Sequence, residues 1–317
     1  MGFYLARRTA VAVATLLAAT FLTFVLLRLV PGEPARIILT RVFVKDVTVG
    51  VSKAEIESVT EQYQLNDPLV VQYARWARRA MKGDLGVSVS SGRAVSTELG
   101  WRLSRTGILA ILATGLSLIL TFGAVLLVRR SRRRWPRTLI HGLSITSIGM
   151  PAYYLGIILI IIFSLKLNLL PVSGVASWQN WVLPVSVLAF GQLGFNISLL
   201  NGSLDEALDA PYSVTAQAKG LTASEVLHHH ALPNALVPLV PFLSLEFAHL
   251  MGGVIVIEQL FGIPGIGAYL LEALNNHDAP AFLGCVAVIG LAVSGAALLA
   301  DVIVSIIDPR IRFSGRQ

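Results

Sequence analysis

Apolar residues gather in six long runs along the chain, at about Thr9–Leu27, Gly107–Val128, Leu139–Leu165, Trp181–Leu200, Ala235–Ile257 and Phe282–Ile307. A helix needs roughly 20 such residues to cross the hydrocarbon of a bilayer, where only helices and closed barrels satisfy their own backbone. The pattern therefore predicts an all-α polytopic membrane protein with six transmembrane helices. The third run contains Gly149-Met150-Pro151, where a proline kink is expected. The first run follows Arg7 and Arg8, yet it is long enough to span and reads as a retained helix rather than a secretory or twin-arginine signal.

Polar residues divide the chain further. They mark an N-terminal transmembrane helix at 1–30, a loop region at 31–106 with helices but no span, a five-helix core at 107–307 and a polar tail at 308–317. Inside the core the longest polar segment is 205–233, and its local pattern reads helix, glycine, helix. Pro211 suits a first helical turn and Gly220 the position just past a helix end. Thr222 and Glu225 have the spacing of a capping box, and Leu221 and Val226 that of a hydrophobic staple. Pro233 marks where the second helix must end or bend. With small Ala216, Ala218 and Gly220 near the bend, the segment makes a knob whose backbone another protein can approach closely.

Composition narrows the class. Hydrophobic residues make up 55% of the chain and charged ones 14%, with a mean hydropathy of +0.71, outside the balance of a soluble domain. A net charge of +7 would suit nucleic acid in a soluble chain, but no basic patch here comes with stacking aromatics. The positive-inside rule accounts for the charge instead. Arg129, Arg130, Arg132, Arg133, Arg134 and Arg137 follow the second run at once and mark that side as cytoplasmic. With the amino terminus inside, six spans put both termini, this cluster and the knob on one face. The single Cys285, in an apolar run, rules out an internal disulfide and reads as a small buried hydrophobe.

Candidate chemistry is sparse. No G-x-x-x-x-G-K-[ST] occurs, so ATP is not expected to bind this chain through a P-loop. H-E-x-x-H and G-x-S-x-G are also missing, and no catalytic residue is assigned. His228, His229 and His230 are consecutive and point about 100° apart on a helix, so they read as a solvated face and no metal site is expected. Glu246 and His249 share a face of the fifth run, as Gln192 and Asn196 do on the fourth. Polar and ionisable groups inside a membrane mark transport paths or helix packing. These four residues are therefore candidates for a translocation path, with packing against a partner subunit as the other reading.

Several stretches resemble one family. Thr215-Ala216-Gln217-Ala218-Lys219-Gly220-Leu221, followed by His230-Ala231-Leu232-Pro233-Asn234-Ala235, resembles the EAA-type loop of ABC importer permeases of the peptide/nickel branch, with Val214 and Gln217 standing where relatives carry charge. Pro31-Gly32-Glu33-Pro34 is similar to the turn that closes the family's first helix. Leu65-Asn66-Asp67-Pro68-Leu69, Gln72-Tyr73, Trp76, Gly83-Asp84-Leu85-Gly86-Val87-Ser88, Arg102-Leu103 and Thr106 repeat the order of its first external loop. Pro151-Ala152-Tyr153, then Leu169–Gly174, Glu258–Gly267 and Asp308-Pro309-Arg310-Ile311-Arg312 continue in the family's order.

The resemblance implies a MetI-like (type I ABC importer) permease fold in the bacterial plasma (inner) membrane. It implies that Thr215, Ala216, Ala218, Lys219, Gly220, Leu221, Glu225 and Pro233 couple to ATPase subunits. The implied partners are a second homologous permease, two ABC ATPase subunits carrying ATP and Mg, and an extracytoplasmic substrate-binding protein, with no cofactor on this chain. The implied cargo is a di- or oligopeptide, with nickel or another metal chelate as the alternative. A carrier driven by an ion gradient, a different class, predicts inverted repeats, and none is visible in the sequence.

Overall fold

A computed structural model describes residues 2–29, 53–62, 64, 66–131 and 133–307. The turn expected at Pro31-Gly32-Glu33-Pro34, Leu65, Arg132 and the ending Asp308–Arg312 lie outside the described residues. The helices are α1 (Gly2–Leu29), α2 (Lys53–Gln62), α3 (Leu69–Ala80), α4 (Val95–Arg130), α5 (Arg134–Gly149), α6 (Ala152–Leu159), α7 (Gln179–Asp209), α8 (Pro211–Ala218), α9 (Ala223–Glu225), α10 (Leu232–Ala235), α11 (Leu239–Gly253), α12 (Ile255–Leu260), α13 (Ile266–Asn275) and α14 (Ala279–Ile307). Two π-helical segments, Ile160–Lys166 and Val226–Ala231, continue α6 and α9. The only β pairing among the described residues is an isolated antiparallel bridge between Val87 and Ala94.

Four of the six apolar runs are single helices long and apolar enough to cross a membrane, within α1, α4, α7 and α14. The 36 residues of α4 extend about 54 Å at 1.5 Å per residue, beyond a hydrocarbon layer of roughly 30 Å. Its ends accordingly carry Glu98 at the start and Arg129 and Arg130 at the finish.

The third run is a bent pair, Arg134–Gly149 with Ala152–Lys166 at 109°, and in the fifth the apolar helix Leu239–Gly252 is joined at 49° to the knob's second helix, Ala223–Ala235. Six spans result when each pair is taken as one. The third run is thus broken rather than kinked. Pro151 disfavours helical backbone at the residue before it, and Met150 is extended at φ −96°, ψ 120°. Two extended residues between two helices, Met150 and then Pro151 at ψ 133°, turn the chain far more than a kink in a continuous one.

The chain forms two units. The first comprises residues 1–6, 107–263 and 293–317 and is organised around α7, against which α5, α6, α10 and α11 pack. Its buried core includes Val125, Leu193, Leu200, Leu204, Ala231 and Ala235. Gly194 sets the approach of α5 to α7. A Cβ there would lie 2.4 Å from both the Ser144 carbonyl oxygen and Ser147 Oγ, a small-residue crossing of the kind that lets membrane helices meet closely. Farther along, α12 packs on α6.

The second unit comprises residues 7–106 and 264–292, and here the motifs between 65 and 106 find their structural reasons. Asp67 pairs with Arg75. Gln72 accepts from Arg28 Nη2 at 2.6 Å, Tyr73 Oη donates to the Leu17 carbonyl at 3.0 Å, and Trp76 joins Phe24, Leu283 and Ala287 in one cluster. Gly86 takes a φ of +91° and donates its N–H to Asp84 Oδ1 at 2.9 Å, a backbone that favours glycine. Thr106 Oγ1 accepts from the Ile266 N–H at 2.9 Å, and the Arg102 guanidinium lies 4.2 Å from the Tyr269 ring centre.

The firmest polar junction in this unit is Asp278, only 1% exposed. Its Oδ2 accepts from Ser88 Oγ at 2.5 Å, Ser90 Oγ at 2.9 Å and the Ser90 N–H at 3.0 Å. Its Oδ1 accepts from the Ala281 N–H at 3.2 Å, in the first turn of α14.

Candidate functional site

The knob is built from local rules. The long α7 ends where Ala210 becomes extended, and Pro211 opens α8 at a position that needs no N–H. Ser213 Oγ donates to the Ala207 carbonyl at 2.7 Å and is fully buried, fastening α8 to the end of α7. The helix closes with the Gly220 N–H on the Gln217 carbonyl and the Leu221 N–H on the Ala216 carbonyl. Gly220 takes a φ of +92°, as a residue just past a helix end does. A Cβ on Gly220 would meet nothing within 4 Å, so its surroundings are open.

The capping box forms as its spacing predicts. Thr222 Oγ1 accepts from the Glu225 N–H at 3.3 Å, and Glu225 Oε2 accepts from the Thr222 N–H at 2.8 Å. In this polar loop the hydrogen bond from the Thr222 N–H, followed by that from its hydroxyl, holds the Glu225 carboxyl below its ordinary value of 4.5.

A π-helical turn, Val226–Ala231, follows. It ends just before Pro233, whose ring would clash with the carbonyl at position 229 in an ordinary helix. Its inner residues Val226 and Ala231 are fully buried. His228 and His229 are exposed, with Nδ1 atoms 2.8 Å from the Ser224 carbonyl and 3.2 Å from the Glu225 carbonyl.

The proposed coupling residues do not all share one surface. Thr215, Ala218, Lys219, Gly220, Glu225 and Pro233 are exposed and Leu221 is half-buried. Ala216 turns inward at 6% exposure and belongs to the knob's base. Beneath the knob, Arg129 Nη2 donates to Asp205 Oδ1 at 2.8 Å and to the Asn201 carbonyl at 3.1 Å.

Of the four polar path candidates, the structure joins two. Asn196, fully buried, donates through Nδ2 to Glu246 Oε2 at 3.1 Å and to Ser117 Oγ at 3.1 Å. The contact ties α4, α7 and α11 at one level. Gln192 is buried one turn away on α7. His249 stands apart, exposed beside a shallow hollow lined by Tyr153, Leu188 and Ile257, and makes no hydrogen bond to Glu246. Ser117 was not among the candidates. Its signal lies in the polar spacing Thr114, Ser117, Thr121, which puts three hydroxyls on one face of α4.

Comparison with known proteins decides the family. Residues 106–313 match the family described as binding-protein-dependent transport system inner membrane component, and residues 1–105 match the N-terminal model of such membrane components. The chain belongs to this family. It is therefore a multi-pass inner membrane permease of an ABC importer, a class that works with ATPase and substrate-binding partners.

The permease is 32% identical over 310 residues to the glutathione transport system permease protein GsiC of Escherichia coli (strain K12), covering 98% of this chain and 99% of that protein. It is 34% identical over 325 residues to the probable peptide ABC transporter permease protein y4tP of Sinorhizobium fredii, covering 99% and 100%. Among solved structures it is similar to a crystal structure of an amino acid ABC transporter with histidines. There the TM-score is 0.51 at 16% identity, covering 68% of this chain and 94% of that one, a likeness of fold.

Proposed function

We propose that this permease is the translocation subunit of an ATP-driven importer of small peptides. The observation that carries the reading is the nearly end-to-end similarity to permeases named for peptide and for glutathione, itself a tripeptide. Cargo, stoichiometry and orientation belong to this proposal. The working complex pairs the chain with a second homologous permease, two ATPase subunits that bind and hydrolyse ATP with Mg, and an extracytoplasmic binding protein. Both termini and the knob face the cytoplasm.

In this mechanism the ATPase docks on the exposed face of the knob, around Thr215, Ala218, Lys219 and Gly220. The buried face, through Ser213, Ala216, Val226 and Ala231, makes the knob one body with α7. Closure of the ATPases on ATP then moves α7 and switches the helices between inward- and outward-open states.

Affinity purification from native membranes with a tag on Gln317, followed by reconstitution, tests the reading. The expected result is co-purification of a second permease and P-loop ATPases, and peptide uptake that requires ATP and the binding protein. Recovery of the chain alone, active on an ion gradient, would overturn it. Uptake of a metal chelate but of no peptide would replace the cargo.

A further inference from the structure

The first unit holds a cluster of buried polar atoms that its own helices leave unpaired. Asn196 bonds Ser117, and farther along Arg129 bonds Asn201 and Asp205, so α4 and α7 run side by side in the same direction. By that register Thr114, three residues before Ser117, stands level with Gln192, four residues before Asn196. Asn196 uses its donor on Ser117 and Glu246, while its acceptor Oδ1 receives no hydrogen bond. Gln192, 7% exposed, has neither Nε2 nor Oε1 bonded, and Thr114 Oγ1 is likewise buried and unbonded. Buried carboxamides are nearly always satisfied, and in a membrane core the requirement is stricter. The arrangement asks for a polar visitor between α4, α7 and α11.

We infer that this seam is a substrate site that receives the amino-terminal end of a peptide in transit, an inference that rests on the peptide-importer reading above. The chemistry of the groups sets the polarity. Glu246, Asn196 Oδ1 and Gln192 Oε1 are acceptors, and none of Thr114, Ser117, Gln192, Asn196 and Glu246 is basic. The seam therefore suits the α-ammonium group, not the carboxylate. Gln192 Oε1 accepts from the N–H of the peptide's second residue and Gln192 Nε2 donates to that same residue's carbonyl, two groups that an extended peptide presents on one side. Ser117 holds the Asn196 carboxamide so that Oδ1 stays free for the ligand.

The test uses the assembled complex with its binding protein in proteoliposomes. Gln192→Leu keeps the side chain's size while removing both unpaired atoms. If Gln192 serves only packing, that change leaves peptide uptake within twofold of wild type, or it releases the partner permease, and either result overturns the proposal. If it serves the substrate, maximal ATP-driven uptake falls at least tenfold while subunit composition and melting temperature hold or improve. Glu246→Gln is expected to do the same.

A second measurement is independent of any variant. A tripeptide with a diazirine in its first residue, trapped during turnover of the wild type, should label segments 114–117, 192–196 or 246. Import of that probe with labelling only elsewhere overturns the site. A wild-type complex that imports no peptide at all sinks the peptide reading of the cargo on which the site rests, a result separable from either failure above.

Discussion

Replacing Gly194 by alanine tests the idea that one close crossing fixes the α5–α7 pair. The added Cβ would sit 2.4 Å from the Ser144 carbonyl oxygen and from Ser147 Oγ, and 2.8 Å from Ile148 Cγ1, where ordinary contact begins near 3.4 Å. A serine hydroxyl can rotate away, but a helix carbonyl cannot, so α5 has to retreat by about 1 Å or strain. Overpacking of this kind costs about 1–3 kcal/mol. Alanine also gains up to about 1 kcal/mol over glycine inside a helix, so the comparison must remove that term.

Gly191, one turn earlier on α7, does so because a Cβ there meets nothing within 4 Å. Gly191→Ala should be neutral or stabilising, and Gly194→Ala should fall below it by about 1–3 kcal/mol. For a unit of this size that is roughly 2–4 °C of melting temperature per kcal/mol, readable as loss of monodisperse elution of the detergent-solubilised complex on heating. Equal melting of the two alanine variants would refute the crossing argument.

Three further predictions rest on single contacts. Gly220→Trp should leave membrane insertion and folding nearly intact, since the site is open and only the left-handed backbone is strained, yet abolish transport by blocking the ATPase socket; wild-type uptake would end the docking role of this residue. Because the folded carboxyl of Glu225 lies below 4.5, its share of the cap is complete above that pH and is lost as pH falls through the lower folded value. Hydrogen-exchange protection of 222–231, corrected for intrinsic rates, should drop on acidification in the wild type but stay level in Glu225→Gln, and identical profiles would count against it. Asp278→Ala strips the shared acceptor from Ser88, Ser90 and the first turn of α14, at a cost of about 2 kcal/mol or more from unpaired buried donors; the turn at 83–94 should then become protease-sensitive, and unchanged resistance with unchanged melting would contradict this.

What the sequence disclosed follows the range of the interactions. The knob was readable nearly to the residue because each part is made within six positions: Pro211 opens a helix, Gly220 closes it, and Thr222 with Glu225 opens the next. Its orientation was not, since Ala216 turns inward to the core of the first unit, and no local rule says which small residue faces solvent. Asp278 leaves only a local trace in the sequence. Aspartate before Ala279-Pro280 is a helix start, with proline in the first turn, but the serines it holds lie 188–190 residues away.

The broken third run has a different cause. Pro151 was visible as a disturbance, and whether a pre-proline residue stays helical or becomes extended is decided by what can hold the two halves. Here α7 receives both α5 and α6, so packing stabilises the sharply turned form. The same helix carries Asn196 and Gln192 on one side and the buried base of the knob at its end. Movement of the knob therefore cannot be absorbed in a flexible loop. On the coupling reading it reaches the seam through α7, which the Gly194 crossing braces, and through α10 and α11, which carries Glu246, and a change at the crossing is expected to alter coupling before it alters ATP hydrolysis by the partner subunits.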